Sequence, residues 1–170
     1  PCTFLSCAII VELRTPEMIA RVRKSETHFE ALRARMVEEQ LVLRGIKSPH
    51  VLRAMSEVPR HRFLPEDMWN EAYEDRPLPL GPEQTISQPY IVAQMCELLQ
   101  LELTDNVLEI GTGSGYETAV LSRLCSMVYS IEVDPILGQC AAIVLDKLGI
   151  GNIQLKIGNA ISKQPAQAIR

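Results

Sequence analysis

Apolar and polar positions fall into two rhythms along this chain, and the switch between them locates its elements. From about Glu26 to Arg44, Leu32, Met36, Leu43 and their neighbours recur at helical spacing, and Gly45 offers a stop. Arg14, Arg21, Arg23, Lys24, Arg33 and Arg35 interleave with Glu12, Glu17, Glu26 and Glu30. Opposite charges so mixed mark a solvated helical face rather than a binding patch. Ser48 and Pro49 then suit an N-cap and first helical position, Val51, Leu52 and Met55 supply the apolar face, and Pro59 ends that helix. Between Val58 and Gln88 the rhythm is lost, and Pro59, Pro65, Pro77 and Pro79 confine any strand to an edge. A helix is predicted to open again at Pro89, capped by Ser87 or Gln88, with Ile91, Val92, Met95, Leu98 and Leu99 facing inward.

Short strands enter after that. Asn106 to Ile110 is an apolar run that reads as a buried strand. Three glycines at alternate positions follow it, then a helical pattern from Thr118 to Leu124. Val128 to Glu132 is a second strand, and Asp134-Pro135 opens a helix with Ile136, Cys140, Ile143, Val144 and Leu148 inward and Gly149 as its stop. Ile153 to Ile157 is a third strand, ending at Gly158-Asn159-Ala160, with no strand signal beyond. The alternation implies a parallel, Rossmann-like α/β sheet behind an N-terminal helical layer.

The join between first strand and helix carries the chemistry. Gly111 and Gly113 can take backbone angles closed to other residues and present no Cβ to a ligand. The spacing is G-x-G-x-G, because position 116 is Tyr. Glu132 ends the next strand 21 positions after Gly111, where an acid can accept hydrogen bonds from ribose hydroxyls. A nucleoside-containing cofactor is expected.

Composition narrows the partners. A net charge of -4 over 170 residues argues against general affinity for nucleic acid or anionic membrane. The five cysteines show no metal spacing, so no metal site is expected, and an odd count without a disulfide framework fits a reducing cytoplasm. The apolar start, Phe4 to Val11, is too short to span a bilayer and lacks signal-peptide features. Because the chain begins with Pro1, that end is expected to be a fragment or processing boundary. His61, between two arginines, reads as a surface or packing residue rather than a general base. Trp69 and Tyr73 are expected to pack on a core edge. Thr85 and Ser87 could offer hydroxyls to an anionic substrate, though local sequence favours Ser87 as a simple cap.

Taken together, the segments resemble the protein-L-isoaspartate (D-aspartate) O-methyltransferase family. The resemblance covers about Met36 to Gly158 and includes Met36 to Leu41, Arg44-Gly45-Ile46 and Val58 to Phe63. Its most specific piece is Asp75-Arg76-Pro77-Leu78-Pro79 continuing to Gln84-Thr85-Ile86-Ser87-Gln88-Pro89-Tyr90. The cofactor turn from Val107 to Tyr116 is shared with methyltransferases in general.

This resemblance implies S-adenosylmethionine as cofactor and methyl transfer to the free carboxylate of L-isoaspartyl and D-aspartyl residues in damaged proteins. It places Ser87 as the active-site hydroxyl with Thr85 in the same loop. Gly111, Thr112, Gly113 and Gly115 match the turn around the methionine half, with Glu109 beneath it. Glu132 matches the ribose-binding acid, and Asn159 falls where the family has an Asp near the adenine. The implied partners are isoaspartyl proteins and peptides, with no nucleic acid or membrane and a monomeric state.

Three departures accompany it. Residues 1 to about 27 do not follow the family's start, Asn159-Ala160 replaces an acid–glycine pair, and the family continues with further strands where this chain ends. The expected organisation is one domain: an atypical segment 1–27, helices and substrate loop 28–100, and a partial cofactor-binding half 101–170 truncated after the third strand. On that expectation the edge of the first strand is open and the short chain turns over poorly. Two other readings compete. A nicotinamide-dependent oxidoreductase is disfavoured by the glycine spacing and by the Asp75-to-Tyr90 segment. The alternative retained is a truncated or diverged non-catalytic member that binds cofactor weakly or acts as an interaction module.

Overall fold

The computed structural model describes residues 16–81 and 84–160, with side chains from Glu26 onward. The expectations for the apolar start and for the tail beyond Ala160 lie outside the described residues. Helix α1 (Pro16–Met36) begins well before Glu26 and passes into a π-helical turn over Val37–Val42. A π turn takes one residue more than an α turn, which rotates everything after it. Met36 and Leu41 therefore face the core, while Leu43, expected on the apolar face, is 74% exposed. Gly45, at φ +95°, ends the segment as expected. In α2 (Pro49–Glu57) Ser48 is the cap, its hydroxyl accepting the N–H of Val51 at 3.4 Å, and Val51, Ala54 and Met55 are buried.

The proline-rich middle forms two short 3₁₀ turns, Arg60–Phe63 and Glu66–Glu71, and an antiparallel hairpin of β1 (Leu78–Gly81) and β2 (Gln84–Ile86). His61 is a packing residue and lies in the core. It stacks on Phe29 at 4.2 Å, meets the edge of Trp69, and its Nδ1 is 2.8 Å from the Tyr73 hydroxyl. Burial, then the charges of Arg62 and Arg33, holds its pKa down to about 3, so the ring is neutral. Arg60 is buried too, its Nε donating to the Ala72 carbonyl at 2.7 Å and its guanidinium lying over the Tyr116 ring.

Helix α3 (Pro89–Leu99) buries Val92, Ala93 and Cys96. The expected inward stripe is corrected except at Val92: Ile91, Met95, Leu98 and Leu99 are exposed. Small residues let α3 lie close on α2, with Glu97 accepting the N–H groups of Lys47 and Ser48 at 2.6 and 2.7 Å. The cap position belongs to Gln88, and no side chain caps the helix.

A parallel sheet follows in the order β3 (Asn106–Ile110), β4 (Met127–Glu132), β5 (Ile153–Ile157). Its helices are α4 (Tyr116–Leu121), shorter and earlier than expected, and α5 (Pro135–Lys147), capped by Asp134 as expected. The register aligns Glu109 with Ser130, and Ser130 with Leu155, on one face. On that face Val128, Ser130 and Glu132 are buried, while on the other Leu108 and Ile110 are about 60% exposed. The expectation of a buried first strand is thus corrected for one of its faces. Helix α5 buries two small residues, Gly138 and Ala141, together with Leu145, and Ile136, expected inward, is exposed. A Cβ on Gly138 would stand 2.8 Å from Ile157, so only glycine permits this approach. Among the described residues no helix is long and apolar enough to cross a membrane.

Candidate active site

The sequence after β3 turns three times through left-handed backbone, with φ of +94° at Gly111, +55° at Gly113 and +85° at Gly115. The glycines serve two purposes. A Cβ on Gly111 or Gly113 would meet nothing within 4 Å, so their α-carbons border open space. A Cβ on Gly115 would stand 3.1 Å from that of Ala141, so this glycine admits α5 instead.

Polar side chains hold the turn from beneath. Glu109 accepts the Thr118 hydroxyl at 2.6 Å and the Ser130 hydroxyl. Because Ser130 spends its single proton there, Thr112 must be the donor in the 2.6 Å bond to Ser130. Burial raises the pKa of Glu109, Ser130 and Thr118 oppose that rise, and Glu132 adds to it. Glu132, buried at the tip of β4, accepts the N–H of Gly113 at 2.7 Å on one oxygen and that of Asp134 at 2.9 Å on the other. A carboxylate offers about four acceptor positions, which leaves capacity for ligand hydroxyls.

Opposite this turn stands the hairpin. Thr85, Ile86 and Ser87 line the same open crevice as Gly111, Thr112, Gly113, Ser114, Tyr116 and Glu117. The crevice is small and open to solvent. Thr85 and Ser87 are exposed on its rim, and the Ser87 hydroxyl has no partner among the described residues. Ser87 is thus free of the capping role that local sequence favoured. The hairpin is anchored by Asp75, which takes Arg44 Nη1 at 3.0 and 2.9 Å and Gln88 Nε2 at 2.7 Å. Arg44 in turn lies 3.6 Å over the Tyr90 ring. Asn159 is exposed just beyond β5, away from the crevice lining. Sequence reasoning missed this anchor, whose members are up to 46 positions apart, and it missed Glu117.

A parallel sheet with an open glycine turn after one strand and a buried acid ending the next is a Rossmann-like arrangement, and the solved relatives make it that of a class I methyltransferase. The family model of protein-L-isoaspartate(D-aspartate) O-methyltransferase matches residues 32–168, and the chain belongs to this family. A protein-L-isoaspartate O-methyltransferase of Opitutus terrae is 52% identical over 136 residues, 80% of this chain and 58% of that protein. One from Trichlorobacter lovleyi is 49% identical over 140 residues, 82% of this chain and 64% of that protein. The chain therefore spans about three fifths of the length of the curated relatives it matches. A solved protein-L-isoaspartate O-methyltransferase superposes with a TM-score of 0.62 at 31% identity, over 77% of this chain and 42% of that one. A Plasmodium falciparum structure titled a putative protein-L-isoaspartate O-methyltransferase in complex with S-adenosyl-L-homocysteine gives 0.65 at 23% identity, over 75% of this chain and 63% of that one. At that identity it speaks for the fold.

Proposed function

We propose that this chain takes part in S-adenosylmethionine-dependent methylation of the free carboxylate of L-isoaspartyl and D-aspartyl residues in damaged proteins. The observation that carries this reading is the crevice itself, with open glycine backbone on one wall and, on the other, a serine hydroxyl that has no partner among the described residues. The names of its relatives support the enzyme over a non-catalytic role. The residues fit the cofactor: the space a Cβ would fill at Gly111 and Gly113 is free, and Glu132 keeps acceptor capacity.

When bound, S-adenosylmethionine supplies a methyl group made electrophilic by its sulfonium sulfur. Gly111, Thr112 and Gly113 hold its methionine half, Glu132 its ribose hydroxyls, and Asn159 stands on the adenine side. Glu109 braces the turn and Gly115 seats it on α5. Ser87, with Thr85 beside it, orients the substrate carboxylate. That carboxylate is ionised at pH 7 and needs no general base, so the protein's contribution is position rather than proton transfer. The reading includes a cytoplasmic monomer acting on isoaspartyl proteins, and the buried cysteines Cys96 and Cys125 form no disulfide. The test is methyl ester formation on an isoaspartyl peptide and on its aspartyl isomer, with the protein in its full natural length. Esterification of the isoaspartyl peptide alone is expected. Equal modification of both, or of neither, contradicts the reading.

A further inference from the structure

The crevice holds one carboxylate that the protein leaves unused. Glu132 and Glu109, the other acids of the glycine turn, are occupied by N–H and hydroxyl donors. Glu117, the second residue of α4, lines the crevice and has no hydrogen bond or ion pair among the described residues. Among the described residues no lysine or arginine lines the crevice to balance it. Tyr116, the other titratable group on the lining, turns its hydroxyl away to Met55 Sδ at 3.7 Å. A half-buried carboxylate without a partner is unfavourable unless something cationic joins it. Its pKa reflects this, being pushed up to about 7, first by burial and then by Glu109.

Resting on the methyltransferase reading above, we propose that Glu117 binds a cationic group of the cofactor, its methionine ammonium or its sulfonium centre, and so completes the crevice electrostatically. An anionic substrate group would be repelled from this wall, whereas the cofactor carries positive charge at the end that meets the glycine turn. The three acids then divide the work. Glu109 braces, Glu132 takes the ribose, and Glu117 takes the charge.

Calorimetric titration of S-adenosylmethionine and S-adenosylhomocysteine into the protein in its full natural length, wild-type and Glu117→Gln, tests this. An ammonium partner predicts that both ligands weaken about tenfold, the scale of a charged hydrogen bond. A sulfonium partner predicts that S-adenosylmethionine alone weakens, because the sulfur of S-adenosylhomocysteine is neutral. Unchanged affinity for both ligands in a folded Glu117→Gln overturns the proposal. Should Glu117→Gln fail to fold, Glu117→Asp, which draws the charge back by one methylene, is read the same way: weaker binding supports and unchanged binding overturns. A wild-type chain that binds neither ligand would overturn the cofactor reading itself, and is thereby told apart from failure of this inference alone.

Discussion

The two walls of the crevice are built by opposite strategies. The glycine-turn wall is made almost entirely within residues 109–132, whose strand ends, glycines and acids bond to one another. The hairpin wall has little cohesion of its own. Its β1–β2 pairing is short and contains a register shift, and Ser87 is held in place through Gln88, Asp75 and Arg44. One wall is held by bonds within its own segment, the other by residues that lie outside it. On the function proposed above, that difference suits a site that holds a cofactor on one side and admits a peptide on the other.

Breaking the turn should have the largest effect. Gly113→Val forces a β-branched residue to φ +55° and sends its Cβ into the crevice. Loss of S-adenosylhomocysteine affinity by at least about a hundredfold is expected, from strain of about 1–3 kcal/mol plus the blocked approach. Calorimetry beside circular dichroism checks that binding is lost before secondary structure is. Next comes Glu132→Ala, expected to weaken cofactor binding by about 1.5–3 kcal/mol, the scale of a charged hydrogen bond. Unchanged affinity with an intact fold would remove Glu132 from the site.

Changes to the hairpin wall should act on rate and spare affinity. Ser87→Ala is expected to slow methyl transfer about tenfold, as for loss of one oriented hydrogen bond. S-adenosylhomocysteine affinity and melting temperature should hold, because the hydroxyl has no partner among the described residues. A lowered melting temperature with normal turnover would restore Ser87 to a structural role. Asp75→Ala should be mildest. The Arg44–Asp75 pair is some 40% exposed on each side, so its removal should cost under about 1 kcal/mol of stability. It should still slow methyl transfer a few-fold, and that slowing should vanish in the Ser87→Ala background, since both act through one hydroxyl. Fully additive effects would show the anchor to be independent of Ser87.

The same contrast decides what the sequence made legible. The glycine turn, Glu132 and the order of three parallel strands could be read because each depends on residues close in sequence. Thr85 and Ser87 came through a family motif, and structure then removed the capping alternative that local sequence had favoured. What stayed hidden depends on tertiary fit. A π turn after Met36 turned Leu43 outward, and α5 packs by Gly138 and Ala141, where apolar periodicity points to Ile136. The burial of Arg60, between Pro59 and His61, has no local signal. The Arg44–Asp75–Gln88 anchor joins residues whose proximity no local pattern encodes, and Glu117 reads as an ordinary helix acid until its burial is seen.

A crystal structure of the chain with S-adenosylhomocysteine and an isoaspartyl peptide would test the two-wall account most directly. It should show the cofactor's methionine half against Gly111 and Gly113, its ribose on Glu132, and the peptide carboxylate on Ser87 Oγ across from the sulfur. S-adenosylhomocysteine seated away from the glycine turn, or a peptide carboxylate that does not reach Ser87, would contradict it.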